Sequence, residues 1–241
     1  MARPDPLHAV EAVLFDVFGT LVDWRAGVVG ELRAAGRAHG VEADWEAVAG
    51  AWRGRYQPAM EEVRSGRRPW TILDVLHRES LDAVLAEHGA DGIPAPARDA
   101  LALAWRRLPP WPDAPEGVAR LRRRLIAGTL SNGNTALLVR LSRHAGLTWD
   151  VLLGAETARA YKPLPEAYLR NVALLGLEPP QVMLVAAHND DLRAAAALGL
   201  RTGFVRRPRE HGPGQATDLE PEGDWDVVAE DIPGVAWALG A

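Results

Sequence analysis

The chain reads as a doubly wound parallel α/β core, interrupted after its first strand by an all-α insertion. Three observations predict this. Short apolar runs bounded by turn or polar residues recur at 10–15, 125–130, 151–154, 182–187 and 202–205. Helical patterns at 135–144, 165–175 and 190–198 separate the later runs, and such alternation is the mark of a parallel sheet with helices on both faces. The gap between the first and second runs is too long for one crossover and carries amphipathic helical stretches instead.

Taken in order, the first run ends on Asp16 and breaks at Gly19. A continuous apolar strand is buried on both faces, and its carboxyl end in an open parallel sheet is where such folds bind ligands. The insertion follows, with helical stretches at 27–39, 45–63, 71–88 and 96–107. Leu76, Leu81, Val84 and Leu85 fall on one face of the third, at helix-bundle spacing. Pro109, Pro110 and Pro112 mark the return to the core. The expected organisation is therefore a Rossmann-like core of 1–23 and 108–241, with a helical cap domain of 24–107. Trp24, Trp45, Trp52, Trp70, Trp105 and Trp111 lie in the cap or its linkers, as packing residues and as walls of a site that excludes water. A helix is expected over 115–125, with Arg122, Arg123 and Arg124 on its solvated face. The stretch 207–223 reads as a surface loop, and 225–239 as a closing strand and helix.

Composition narrows the function. With 48% hydrophobic and 24% charged residues the chain is an ordinary globular one, and its net charge of -5 gives no footprint for nucleic acid. No apolar segment approaches the roughly 20 residues that span a bilayer, and no signal-peptide pattern opens the chain, so a cytoplasmic location is expected. The absence of cysteine excludes disulfides and thiolate chemistry, and the seven histidines lack the pairing of a zinc helix. Every basic residue is arginine except Lys162. That contrast points to a position where a compact ammonium serves and a planar guanidinium does not.

Four stretches carry chemistry. The first is Phe15-Asp16-Val17-Phe18-Gly19-Thr20, a carboxylate at a strand end. The second, Ser131-Asn132-Gly133-Asn134, offers hydroxyl, amide and backbone donors before a helix; it reads equally as a helix N-cap by Ser131 or Asn132 and as an anion site. The third is Tyr161-Lys162-Pro163, with the lone lysine ahead of a proline-initiated helix. The fourth, Ala186-Ala187-His188-Asn189-Asp190-Asp191, puts an imidazole and two carboxylates at another strand end; His188 reads either as a site residue or as a structural histidine.

In this order the four stretches resemble the motifs of the haloacid dehalogenase superfamily, and together with the segment 200–212 they resemble its type II (L-2-)haloacid dehalogenases. The resemblance implies that Asp16 attacks the substrate and becomes esterified, and that Lys162 pairs with it. Most members of that superfamily are magnesium-dependent phosphatases with a second aspartate two residues after the first, as general acid. Here that position is Phe18, whose ring cannot protonate an alkoxide, and Ala187 replaces a metal-binding aspartate. Both departures point to halide displacement with no metal and no cofactor. By the same resemblance Thr20, Ser131 and Asn132 fix carboxylates or halide, and Arg53, after Trp52 in the cap, receives the halide; Arg53 also reads as one more solvated cap arginine. Ala186 and His188 stand where well-known L-2-haloacid dehalogenases carry serine and asparagine, so beside Asp191 His188 reads either as positioning the hydrolytic water or as donating to the halide. A site containing histidine points to a small substrate such as fluoroacetate.

The expected function is thus hydrolysis of short 2-haloalkanoic acids to 2-hydroxyalkanoic acids. The partner is a small 2-haloacid, with neither nucleic acid nor membrane, and a homodimer stays open as the assembly. Two rivals stand beside it. One is a magnesium-dependent phosphatase that rebuilds its metal site with Asp190 or Asp191, and the other is a non-catalytic anion-binding relative.

Overall fold

A computed structural model describes residues 6–241. Six parallel strands form one sheet in the order β3-β2-β1-β4-β5-β6, with β1 (Ala12–Phe15), β2 (Ile126–Ser131), β3 (Val151–Gly154), β4 (Val182–Ala186), β5 (Arg201–Val205) and β6 (Val227–Ala229). All four residues of β1 are fully buried, because helices cover both faces of the sheet. The chain moves from β1 to β2 and β3 on one side, then crosses to β4, β5 and β6 on the other. The strand order therefore reverses between β1 and β4, the place where such sheets open a crevice beyond the strand ends.

Between β1 and β2 lie α1 (Trp24–His39), α2 (Trp45–Gly54), α3 (Tyr56–Arg64), α4 (Leu73–Glu87) and α5 (Ala95–Ala102), a 3-10 turn at Leu103–Arg106, and α6 (Ala114–Leu121). The one helical stretch read over 45–63 is two helices, broken at Arg55. Asp23 and Asp44 start α1 and α2 by accepting backbone N–H bonds from the first turn, as good N-caps do. Leu76, Leu81, Val84 and Leu85 all face inward. Trp52 and Trp105 are buried among them and meet edge to face at 5.4 Å. Both linkers of the insertion are tied together: Asp23 N donates to Pro109 O and Trp111 N to Leu21 O, each at 2.9 Å.

The rest of the core is α7 (Thr135–Ala145), a single turn α8 (Ala155–Ala158), α9 (Pro165–Leu174), α10 (Asn189–Ala197) and α11 (Ile232–Ala238). The helix expected over 115–125 ends at Leu121, so the three arginines occupy a turn before β2 rather than a helix face. The stretch 207–223 is irregular, but it is not wholly a surface loop: Arg207 and Glu210 within it are buried. Among the described residues no helix is long and apolar enough to cross a membrane.

Candidate active site

Asp16 directly follows β1, and its amide still donates to Val185 O at 3.0 Å, which holds the carboxylate at the rim of the sheet. Thr20 Oγ1 donates to Asp16 Oδ2 at 2.8 Å and accepts from Ala187 N at 3.0 Å, tying the loop after β1 to the end of β4. Lys162, in the segment before α9, places Nζ 3.4 Å from Asp16 Oδ1 and 2.5 Å from Asp191 Oδ2. Tyr168 OH donates to the other oxygen of Asp191 at 2.7 Å. His188, at the end of β4, has Nδ1 3.3 Å from Asp16 Oδ2 and Nε2 2.9 Å from Glu210 Oε2.

These contacts set the charges. Burial opposes ionisation of Asp16, but Lys162, then His188 and Thr20, hold its carboxyl well below the usual carboxylate range. Burial likewise opposes protonation of His188, yet Glu210 and Asp16 hold the imidazole well above its ordinary value. Lys162 is kept charged by Asp191 and Asp16 against its own burial. At neutral pH an ionised Asp16 thus lies between two cations.

Gly19 allows this loop to turn. Its φ is +86°, and a Cβ there would overlap the Glu210 carboxylate. Gly19→Ala is expected to cost about 1–2 kcal/mol for the left-handed backbone, and more for displacing Glu210. The urea midpoint measures this, and an unchanged midpoint would show that the loop adapts freely.

A cleft of about 800 Å³ is lined by Asp16, Phe18, Arg53, Asn132, Lys162, His188 and Asp191, among others. Seven of the nine site residues expected from sequence therefore converge there. Thr20 sits behind the surface and acts on Asp16 directly. Ser131 is not among the residues lining the cleft; it is buried, with Oγ accepting from Gly133 N at 3.1 Å. Neither Ser131 nor Asn132 caps α7, whose cap residue is Asn134. Asn134 instead accepts from Asp74 N and donates to Asp74 Oδ2, bonding core to insertion. Asn132 Oδ1 accepts from Lys162 N at 2.9 Å, so it orients the lysine segment.

From the insertion, Arg53 stacks over Tyr56 at 4.2 Å and near Trp24 at 5.5 Å. Its Nη1 is buried with no hydrogen-bond partner among the described residues. A desolvated guanidinium N–H without an acceptor is costly unless an anion completes it. Phe18 packs edge-on against Tyr56 and Trp105 and makes this part of the wall apolar. His77 stacks on Trp105 at 4.3 Å, and burial, then the charge of Arg53, push it well below the ordinary histidine range. Arg64 Nη1 donates to Lys162 O at 2.7 Å and Tyr161 OH to Thr71 O at 2.7 Å, so insertion and core meet around the lysine.

Glu210, Tyr168, His77 and Arg64 were not singled out from sequence. A usable signal existed for Glu210 alone: it lies just past the end of a buried strand of the same sheet, on the edge where ligands bind.

The donor set does not suit magnesium, which wants about six oxygens in octahedral array. Lys162 and His188 occupy both oxygens of Asp16, Lys162 and Tyr168 those of Asp191, and Asp190 points outward to Arg193 with its side chain 94% exposed.

A family model described as haloacid dehalogenase-like hydrolase matches residues 10–199. The (S)-2-haloacid dehalogenase of Xanthobacter autotrophicus is 30% identical over 201 residues, covering 82% of this chain and 76% of that one. Among solved structures, the defluorinating L-2-haloacid dehalogenase Rha0230 is 50% identical with a TM-score of 0.94, over 96% of each chain. The L-2-haloacid dehalogenase from Xanthobacter autotrophicus with chloropropionic acid covalently bound superimposes with a TM-score of 0.79 at 25% identity, over 96% of this chain and 99% of that one.

Proposed function

Because the chain belongs to the haloacid dehalogenase-like hydrolases, we propose that it is a hydrolytic dehalogenase converting short 2-haloalkanoic acids to 2-hydroxyalkanoic acids through an ester on Asp16. The observation that carries this reading is one cleft holding an ionised Asp16 and, on Arg53, a buried Nη1 with no hydrogen-bond partner among the described residues, with Phe18 where a phosphatase needs an acid. Asp16 displaces halide from C2 in line, and the halide departs towards Arg53 as its charge develops. Lys162 balances the carboxylate charges, and Asn132 and Thr20 fix the lysine and the nucleophile. Water held near His188 and Asp191 then attacks the aspartyl carbonyl and releases the hydroxyacid. Kinship with (S)-2-haloacid dehalogenases makes the S enantiomer the expected substrate, and kinship with a defluorinating one puts fluoroacetate among the acids to test. We place the activity in the cytoplasm, where a chain without cysteines depends on no disulfide.

The test is halide release from chloro-, bromo- and fluoroacids with and without a chelator, beside release of phosphate from small phosphate esters with magnesium. Halide release that survives exhaustive chelation is expected. Phosphate release that needs magnesium, without halide release, would favour the phosphatase reading.

A further inference from the structure

Glu210 has a geometry that the proposed reaction does not yet use. It is 1% exposed, carries a charge, and is aimed at the site by two donors. Trp24 Nε1 donates to its Oε1 at 3.0 Å, and its Oε2 faces His188 Nε2 at 2.9 Å. Gly19, lacking a side chain, leaves the space that the carboxylate fills. Burying a carboxylate is costly, and this one has an imidazole as its strong partner.

Building on the dehalogenase reading, we propose that Glu210 is a positioning residue that makes His188 the base of the ester-hydrolysis step, while Asp191 serves to anchor Lys162. Glu210 accepts only, so Nε2 must carry the proton of the Glu210 hydrogen bond, and the lone pair of a neutral His188 then lies on Nδ1, facing Asp16. Asp191 is the weaker candidate for the base, since one of its oxygens accepts from Lys162 and the other from Tyr168.

The proton balance closes. In the free enzyme His188 is an imidazolium between Asp16 and Glu210. Displacement expels halide and turns Asp16 into a neutral ester, which removes one of the two anions, and His188 releases its proton to solvent. Water then bonds to the aspartyl carbonyl carbon as Nδ1 takes a proton from it. The bond between that carbon and the ester oxygen breaks, and His188 hands the proton to the departing hydroxyacid oxygen. The carboxyl group left on Asp16 returns its proton to His188, so one turnover yields one halide, one hydroxyacid and one proton. The other charged groups facing this pair are few. His211 lies 3.5 Å from Glu210 and Arg53 approaches it from α2, Lys162 stands across Asp16, and Asp218 is occupied by Asn189.

The experiment is a rapid-quench single turnover of the full chain with 2-chloropropionate, following halide and, by mass spectrometry, the ester on Asp16. For Glu210→Gln the halide burst is expected at wild-type amplitude, with ester decay slowed about 100-fold, within the usual range for loss of general-base assistance. The base-dependent limb of ester decay should move to lower pH, because His188 has lost an anionic partner. His188→Asn should also accumulate ester, and it decides the matter if Glu210→Gln fails to fold. Ester decay at the wild-type rate in both variants would overturn the proposal. So would a parallel loss of burst and decay, which marks Glu210 as structural, or ester accumulation in Asp191→Asn but not in His188→Asn. Absence of a halide burst from the wild-type protein would instead sink the dehalogenase reading itself, and this proposal with it.

Discussion

Asp16→Asn should lose halide release by a factor on the order of 10⁴ or more, because an amide is a far weaker nucleophile than the carboxylate it replaces. The fold should survive. Lys162 keeps Asp191, and His188 keeps Glu210, so neither buried cation is left without an anion. Loss of the Asp16 charge also relieves its repulsion with Asp191. Circular dichroism and the urea midpoint check the fold, while an ¹⁸O experiment checks the chemistry. In a single turnover with enzyme in excess, label from water should enter Asp16 of the wild-type protein, since water attacks the aspartyl carbonyl. Label found only in the hydroxyacid would mean direct attack on C2, and undiminished turnover of Asp16→Asn would remove Asp16 from the reaction.

Lys162→Met should be the most damaging change to stability and activity together. The substitution keeps length and removes charge, leaving two buried carboxylates facing each other. Breaking a buried pair in this way costs about 3–5 kcal/mol at neutral pH. The sign of the pH dependence follows from the direction of the shift. Lys162 holds Asp16 well below its ordinary range and draws Asp191 down against its burial, so without it both carboxyls rise. The deficit relative to wild type should therefore begin below the ordinary carboxylate range, where wild-type Asp16 ionises and the variant's does not, and should grow until pH passes the raised values of the variant's carboxyls. The acid limb of the activity profile should move upward for the same reason. Denaturant midpoints from pH 3 to 8 measure the first effect and initial rates the second; a deficit independent of pH would show that Lys162 acts through packing alone.

The sheet was legible because its strands are apolar on both faces and each is closed by a turn, and the strand runs at 151–154 and 182–187 appear almost unchanged as β3 and β4. Asp16 and Lys162 were legible for different reasons, the first as a charge ending an apolar run and the second as the lone lysine among arginines. Ser131 stayed ambiguous, because a hydroxyl at a strand end offers the same sequence signal whether it faces a cleft or its own backbone. Glu210 escaped because its partners come from distant parts of the chain: Trp24 is 186 positions away and His188 is 22. No local periodicity encodes such a contact, and its place just past the apolar run of β5 was the one signal in a proline-rich, arginine-rich stretch that otherwise looks like a solvated loop.

On the dehalogenase reading, the two linkers bonded at Asp23–Pro109 and Leu21–Trp111 separate two inheritable traits. The group that receives the halogen rides on the inserted helices, whereas the nucleophile and the groups that clear its ester belong to the sheet. Mutation can then sample new leaving groups through Tyr56 and Trp105, the aromatic neighbours of Phe18, while Trp24, which holds Glu210, stays fixed. A lineage carrying such a chain can follow a change in the halogenated compounds around it in single steps, and a library confined to the insertion is the corresponding route for a protein engineer.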